Sequence, residues 1–174
     1  MKIKYIVSTF LLLLLVSFSG CAQETVEKKN ATTTYILVRH SEKDLSDATN
    51  RNPNLTEEGK ERSENLVKIL ADIEIDKIYS TNYARTLQTG EPISKNRNIE
   101  ITPYDPRDLY NEEFQAETKG KTSIIIGHSN TTPIFVNKII GQKKYNDIDE
   151  KDYSKLFIVK VTGDVITDSV LNIN

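Results

Sequence analysis

The chain has one cysteine, two histidines and little excess of charge of either sign, and each scarcity removes a class of explanation. A lone cysteine, Cys21, cannot close an intramolecular disulfide, so the fold must be held by its core. Lys and Arg total 23 against 25 Asp and Glu, a formal net charge of −2. Without a long basic block there is no cationic field to draw the protein onto nucleic acid, and no nucleic acid partner is expected. The uncharged run from Tyr5 to Phe18 is short for a membrane span. Internal repeats and low-complexity segments are also missing. What is there suits one domain with appendages: 174 residues, 37% hydrophobic and 28% charged, are enough for a single core.

The first twenty residues stand apart from that core. Lys2 and Lys4 precede the run Tyr5 to Phe18, which ends in Ser19-Gly20-Cys21; a basic start, an apolar middle and small residues at the end make a secretory signal. Phe18-Ser19-Gly20-Cys21 resembles a bacterial lipoprotein lipobox, with Phe18 in place of the usual aliphatic residue. The resemblance implies cleavage before Cys21 and lipid on that cysteine, giving membrane contact through acyl chains instead of a spanning helix. The expected layout is a signal peptide at 1–20, a lipidated tether at 21–33 and a domain at 34–174. The expected location is the extracytoplasmic side of a bacterial cell envelope, periplasmic if there are two membranes.

From Thr34 onward, short β-rich runs alternate with helical stretches, which predicts an α/β fold built on a mostly parallel sheet. Tyr35-Ile36-Leu37-Val38 is continuously apolar, as a strand covered on both faces should be. Helices are expected over Thr56 to Leu70, Ala84 to Ser94 and Thr131 to Ile140, with weaker helical character over Asp108 to Glu117. Further strands are expected over Asp76 to Tyr79, Ile99 to Ile101 and Thr122 to Ile126. Leu156 to Val161 and Val165 to Leu171 flank Gly163-Asp164, a hairpin signal. The Asp- and Lys-rich stretch from Ile140 to Tyr153 reads as a surface loop or a short helix.

Parallel α/β sheets bind ligands at the carboxyl ends of their strands, and three such ends here are polar: Arg39-His40-Ser41-Glu42-Lys43, Ser80 to Thr86, and Gly127-His128-Ser129-Asn130. Taken singly, each is modest. A histidine ending a strand is more often structural than catalytic, Arg85 alone would be a surface helix residue, and Ser129 or Asn130 alone would be a helix N-cap. Together they are harder to dismiss, because both histidines of the chain follow its two most apolar strands and would open on one edge of the sheet. Two histidines, two arginines and helix N-termini on one edge suit a phosphoryl group, whose phosphorus a neutral imidazole can attack.

The motifs RHSEK, YSTNYARTLQT and GHSN, in that order, resemble those of the histidine phosphatase superfamily, which includes phosphoglycerate mutases, acid phosphatases and small bacterial phosphohistidine phosphatases. Its RHG motif stands here as Arg39-His40-Ser41, with serine in place of glycine. The resemblance implies a three-layer sandwich with helices on both faces of the sheet. It makes His40 the nucleophile that becomes phosphohistidine, Arg39 and Arg85 the phosphate ligands, and His128 the second active-site histidine, donating a hydrogen bond to phosphate. Arginines beside His40 would also keep its imidazole unprotonated.

The acid that protonates the leaving group is expected between the second and third motifs, where Asp105, Asp108, Glu112 and Glu113 stand. Position favours Asp105 and Asp108, and Asp105 is the candidate acid; Glu42 is a further candidate, with an orienting or structural part as its alternative. The resemblance also allows a member without a dedicated acid where the leaving group is already good. Ser80 and Thr86 are expected to shape the second loop, and Ser129 and Asn130 to cap the following helix. No metal or cofactor is implied, since the adjacent arginines would repel a divalent ion. The resulting expectation is a phosphatase acting on a small phosphorylated substrate or a phosphoprotein. A phosphoglycerate mutase-like phosphotransferase and a non-catalytic lipoprotein that binds phosphorylated ligands are the competing readings.

Overall fold

In the computed structural model, residues 31–173 are described. The expected signal peptide, Cys21 and the expected tether up to residue 30 lie outside the described residues. Strand β1 (Thr32–Arg39) begins the domain, so Thr32 and Thr33, read from sequence as the end of the tether, are strand residues. Thr33 is buried, and its hydroxyl accepts from the Gly120 N–H at 2.8 Å. The chain continues through α1 (Glu57–Ile69), β2 (Lys77–Ser80), α2 (Ala84–Arg97), β3 (Ile101–Pro103), α3 (Glu112–Thr118), β4 (Thr122–Gly127), α4 (Thr131–Ile140), β5 (Lys155–Thr162) and β6 (Val165–Asn172). Each element expected from sequence is present, with ends shifted by a few residues, and the stretch from 141 to 154 is irregular.

The six strands form one mixed, mostly parallel sheet in the order β3-β2-β4-β1-β5-β6. β1 runs parallel to β4, and β2 parallel to both β3 and β4, while β5 alone runs against its neighbours. Alternation along the central strands divides the core. Tyr35, Leu37, Tyr79 and Ile125 point to one face, where Phe114 of α3 and Phe135, Val136 and Ile139 of α4 cover them. Ile36, Val38, Ile78, Ile124 and Ile126 point to the other face, beneath Leu66 of α1, Leu70 just past its end, and Ile93 of α2. A strand covered on both sides needs no polar alternation, which is why β1 and β4 read as unbroken apolar runs. The result is the expected three-layer α/β arrangement. Among the described residues no helix is long and apolar enough to cross a membrane.

Two local features bring the site's loops close. Thr56 caps α1 by accepting from the Gly59 N–H at 3.1 Å, with Glu57 and Glu58 in the first turn where the helix dipole favours them. Gly59 itself lies against the chain after β1, where an added Cβ would sit 2.3 Å from the Glu42 carbonyl oxygen. In α2, Gly90 serves as a packing surface: a Cβ there would come within 3.0 Å of Ile126. The helix therefore lies close on the sheet despite a residue that weakens helices.

Candidate functional site

β1 and β4 are neighbours in register, Val38 opposite Ile126 and Arg39 opposite Gly127. The His40 N–H donates to the Gly127 carbonyl at 2.9 Å, carrying the ladder one residue past the strand end. The two histidines therefore leave the sheet side by side, with ring centroids 5.4 Å apart. They meet at a cavity of about 630 Å³ whose lining includes His40, Lys43, Arg85, His128, Asp147 and Glu150. Parallel strand ends at this place in an α/β sheet are where ligands bind.

His40 is 2% exposed, and its Nδ1 lies 2.8 Å from the Ser41 carbonyl oxygen. A carbonyl only accepts, so Nδ1 carries the hydrogen and Nε2 keeps its lone pair. Burial, and after it the charges of Arg39, Arg85 and His128, pull the imidazole pKa down to about 3 against the opposing Ser41 contact. His40 is thus a neutral ring with one nitrogen held and the other available. The loop is fixed on its far side too: the Ser41 N–H donates to Thr89 Oγ1 at 3.0 Å, and Ser41 Oγ pairs with Ser63 Oγ at 3.1 Å. The Glu42 carboxylate is gripped by Arg62 through Nε at 2.8 and 3.0 Å.

The two arginines differ. Arg39, expected as a phosphate ligand, is buried and strapped by the 149–153 segment. Its Nη1 donates to the carbonyls of Asp149 (2.9 Å) and Asp152 (3.0 Å), and its Nη2 to the Glu150 carboxylate (2.9 Å). The guanidinium carbon lies 4.2 Å from the Tyr153 ring centroid. Arg85, from the first turn of α2, is only half-buried. It stacks 4.6 Å from the Tyr83 ring centroid and makes one long contact, Nη2 to His128 Nδ1 at 3.4 Å. Its buried Nε has no partner among the described residues. Burial lowers the Arg85 pKa while Tyr83 and Glu150 act against that; an arginine stays charged throughout.

His128 directs Nε2 at Thr81 Oγ1, 2.9 Å away. Burial, then Arg85, Lys43 and Arg39, pull its pKa down to about 4, with Glu150 opposing. Thr86, expected only to shape the second loop, is fully buried and hydrogen-bonded to Thr81, as Ser80 is to the Thr81 carbonyl. Asn130 caps α4 by accepting from the Thr131 N–H at 2.9 Å. Ser129 takes no part in that cap; its hydroxyl donates to the Glu150 carboxylate.

The carboxylates between the second and third motifs lie elsewhere. Asp105 does not line the cavity. It forks onto Arg107, with Arg107 Nε and Nη2 at 2.9 and 2.7 Å, and that pairing holds its pKa at about 2. A carboxylate so stabilised in its charged form is a poor proton donor at neutral pH, which counts against Asp105 as the acid. Asp108 accepts from Asn111 Nδ2, and Glu112 and Glu113 occupy the exposed first turn of α3. The carboxylates that do line the cavity are Asp147 and Glu150, both from the stretch read as a surface loop or a short helix. Glu150 also lies 3.8 Å from Lys43 Nζ. Ser129, Arg39 and Lys43 together hold its pKa down. Sequence reasoning missed Thr81, Lys43, Glu150 and Tyr153. Lys43 and Thr81 left a trace, since they stand inside the first and second motifs.

Comparison with known proteins agrees with this geometry. Residues 35–107 match the family model described as the histidine phosphatase superfamily (branch 1), a segment that carries the first two motifs. No curated protein sequence matches the chain. Among solved structures, the chain is similar to the protein histidine phosphatase SixA complexed with tungstate (18% identity, TM-score 0.62, covering 80% of this chain and 96% of that one). It is also similar to the alpha-ribazole phosphatase from Shigella flexneri (16%, 0.61, 80% and 96%) and to phosphoglycerate mutase from Bacillus anthracis (12%, 0.64, 83% and 95%). At these identities the structural likeness establishes the fold. With the family match, it bears out the resemblance read from the motifs and supports phosphatase or phosphotransferase activity.

Proposed function

We propose that this chain is a metal-independent phosphatase that hydrolyses phosphate monoesters or phosphohistidine through a phosphohistidine intermediate on His40, and that lipid on Cys21 anchors it outside the cytoplasm on a bacterial membrane. One observation carries the catalytic part: the Ser41 carbonyl holds the hydrogen of His40 on Nδ1 at 2.8 Å, leaving Nε2 as a neutral nucleophile beside Arg85 and His128. The anchoring part rests on the lipobox-like Phe18-Ser19-Gly20-Cys21.

In the first half-reaction Nε2 attacks phosphorus, the N–P bond forms, and the bond to the leaving group breaks as that group takes a proton. Arg85, the arginine without strong partners of its own, binds phosphoryl oxygens and offsets their charge as it redistributes. In the second half-reaction water attacks phosphorus, the P–N bond breaks, and phosphate departs with the water's oxygen while His40 is restored. Asp105, Asp108, Glu112 and Glu113 do not line the cavity, so leaving groups of low basicity, such as the imidazole of phosphohistidine, suit the site best.

Rapid quenching of the wild-type protein during turnover should trap acid-labile, base-stable phosphate on His40. A screen of phosphate esters and phosphohistidine, run beside His40→Ala, tests the mechanism directly: full activity of the variant on every substrate would sink it. Release of inorganic phosphate supports hydrolysis, and an isomerised ester would instead support a mutase.

A further inference from the structure

Thr86 Oγ1 lies 2.7 Å from the Thr81 carbonyl and 2.9 Å from the Tyr83 carbonyl. Carbonyls only accept, so the single O–H of Thr86 is directed to them, and toward Thr81 Oγ1, 3.0 Å away, Thr86 can only accept. The O–H of Thr81 therefore goes to Thr86, and toward His128 Nε2 at 2.9 Å Thr81 can only accept in turn. Both threonines are 0% exposed, so no solvent competes for these positions. The hydrogen of a neutral His128 must then sit on Nε2, which leaves a lone pair on Nδ1. A separate contact agrees: Arg85 Nη2, which only donates, is the neighbour of Nδ1 at 3.4 Å.

We infer that Thr81 is a positioning residue that fixes the tautomer of His128, so that Nδ1 enters the phosphoryl pocket as a proton acceptor, and that His128 carries the substrate's own proton to the leaving group. This rests on the phosphatase reading. A phosphate monoester monoanion brings one hydrogen on a non-bridging oxygen. That hydrogen moves to Nδ1, giving an imidazolium whose Nδ1–H donates back to the dianionic phosphoryl group and whose Nε2–H still donates to Thr81. When the P–O bond breaks, the departing oxygen takes the hydrogen from Nδ1, and neutral His128 returns. The proton count closes without a carboxylic acid, which fits a cavity that Asp105 does not line. Burial and the cations around His128, which lower its pKa to about 4, keep it unprotonated until the substrate arrives.

With only two histidines in the chain, two-bond nitrogen–proton NMR of histidine-labelled full-length protein reads both tautomers directly. At pH 7.5 the wild type should show opposite forms, Nδ1–H on His40 and Nε2–H on His128. Saturating inorganic phosphate should then protonate Nδ1 of His128 and leave His40 neutral. Thr81→Ser should keep both signatures, while Thr81→Val should mix the His128 tautomers and lower kcat by roughly 10–100-fold, the scale on which metal-bound histidines suffer from losing an orienting partner. An Nδ1–H tautomer on unliganded His128, or a ring that stays neutral at saturating phosphate, would overturn the inference. The tautomer needs no turnover to be read. A correct tautomer in a protein that releases phosphate from no substrate would therefore remove the phosphatase reading, and the proton transfer with it, while leaving the role of Thr81 in place.

Discussion

His40 hydrogen-bonds the carbonyl of its own chain neighbour, whereas His128 leans on a hydroxyl 47 residues away in sequence. The contrast extends to the walls that carry them. On the β1 side Arg39 is strapped, Ser41 is tied at its amide and its hydroxyl, and Glu42 is clamped by Arg62. On the other side Arg85 has one long contact and a buried Nε without a partner among the described residues. One wall is fixed by its own contacts, and on the other Arg85 keeps donors free, as the proposed phosphoryl ligand would need. A main-chain anchor is also indifferent to side-chain identity. Serine can therefore stand at position 41, where the resembled motif has glycine: its carbonyl holds His40, and its hydroxyl is taken up by Ser63.

Removing the group that the fixed wall exists to present should have the largest effect. His40→Ala is expected to lower turnover by on the order of 10⁴-fold or more, as loss of a nucleophile does, with little change in unfolding midpoint.

The arginines come next, and they should fail in opposite ways. Arg85→Ala should lower kcat/KM by about 10²–10³-fold, the scale for losing one charge-stabilising donor, with its thermal midpoint unchanged. Arg39→Ala removes the centre of the 149–153 strap and should cost about 2–3 kcal/mol in urea unfolding, since Arg39 is 4% exposed with three strong acceptors around it. Equal stability losses in the two variants would break the distinction between the walls.

A smaller effect concerns protons. His40 titrates near pH 3 in the folded protein, below the ordinary histidine value, so between those values the unfolded chain binds the proton and the folded chain does not. Its contribution to stability is complete above about pH 6.5 and declines as pH falls, by about 1.4 kcal/mol per pH unit. His128, lowered to about 4, acts in the same direction. Urea unfolding at pH 6.5 and pH 5 should show this loss before the carboxylates titrate, and His40→Gln should flatten it by one proton's worth. An unchanged slope would mean that His40 is protonated in the fold.

Much of this was legible in the sequence because it depends on near neighbours. Unbroken apolar runs marked β1 and β4, Thr56 and two glutamates marked the start of α1, and the same strands delivered both histidines to one edge. What escaped depends on distant pairings. Arg39 meets its strap across 110 residues or more, and a loop without periodicity gives no sign of which arginine it will cover. The pairing of the candidate acid escaped although it is local: Asp105 stands in the expected interval, and Arg107 two residues on forks onto it, which favours its ionised form.

Glu150 lies where the two walls meet, and it should produce the smallest effect of those considered. Its side chain is 66% exposed, yet it touches Arg39 and Lys43 and accepts from Ser129, so it presents a negative charge among cations that an incoming oxyanion would also seek. Solvent screening at that exposure limits the repulsion to well under the strength of a buried pair. Glu150→Gln keeps an oxygen for Arg39 and removes the charge. Competitive inhibition by phosphate or tungstate should therefore tighten by about 2–5-fold, less than 1 kcal/mol, with the gain shrinking as salt screens the difference. Weaker inhibition in the variant would show that Glu150 is needed to hold Arg39, which would place it wholly with the fixed wall.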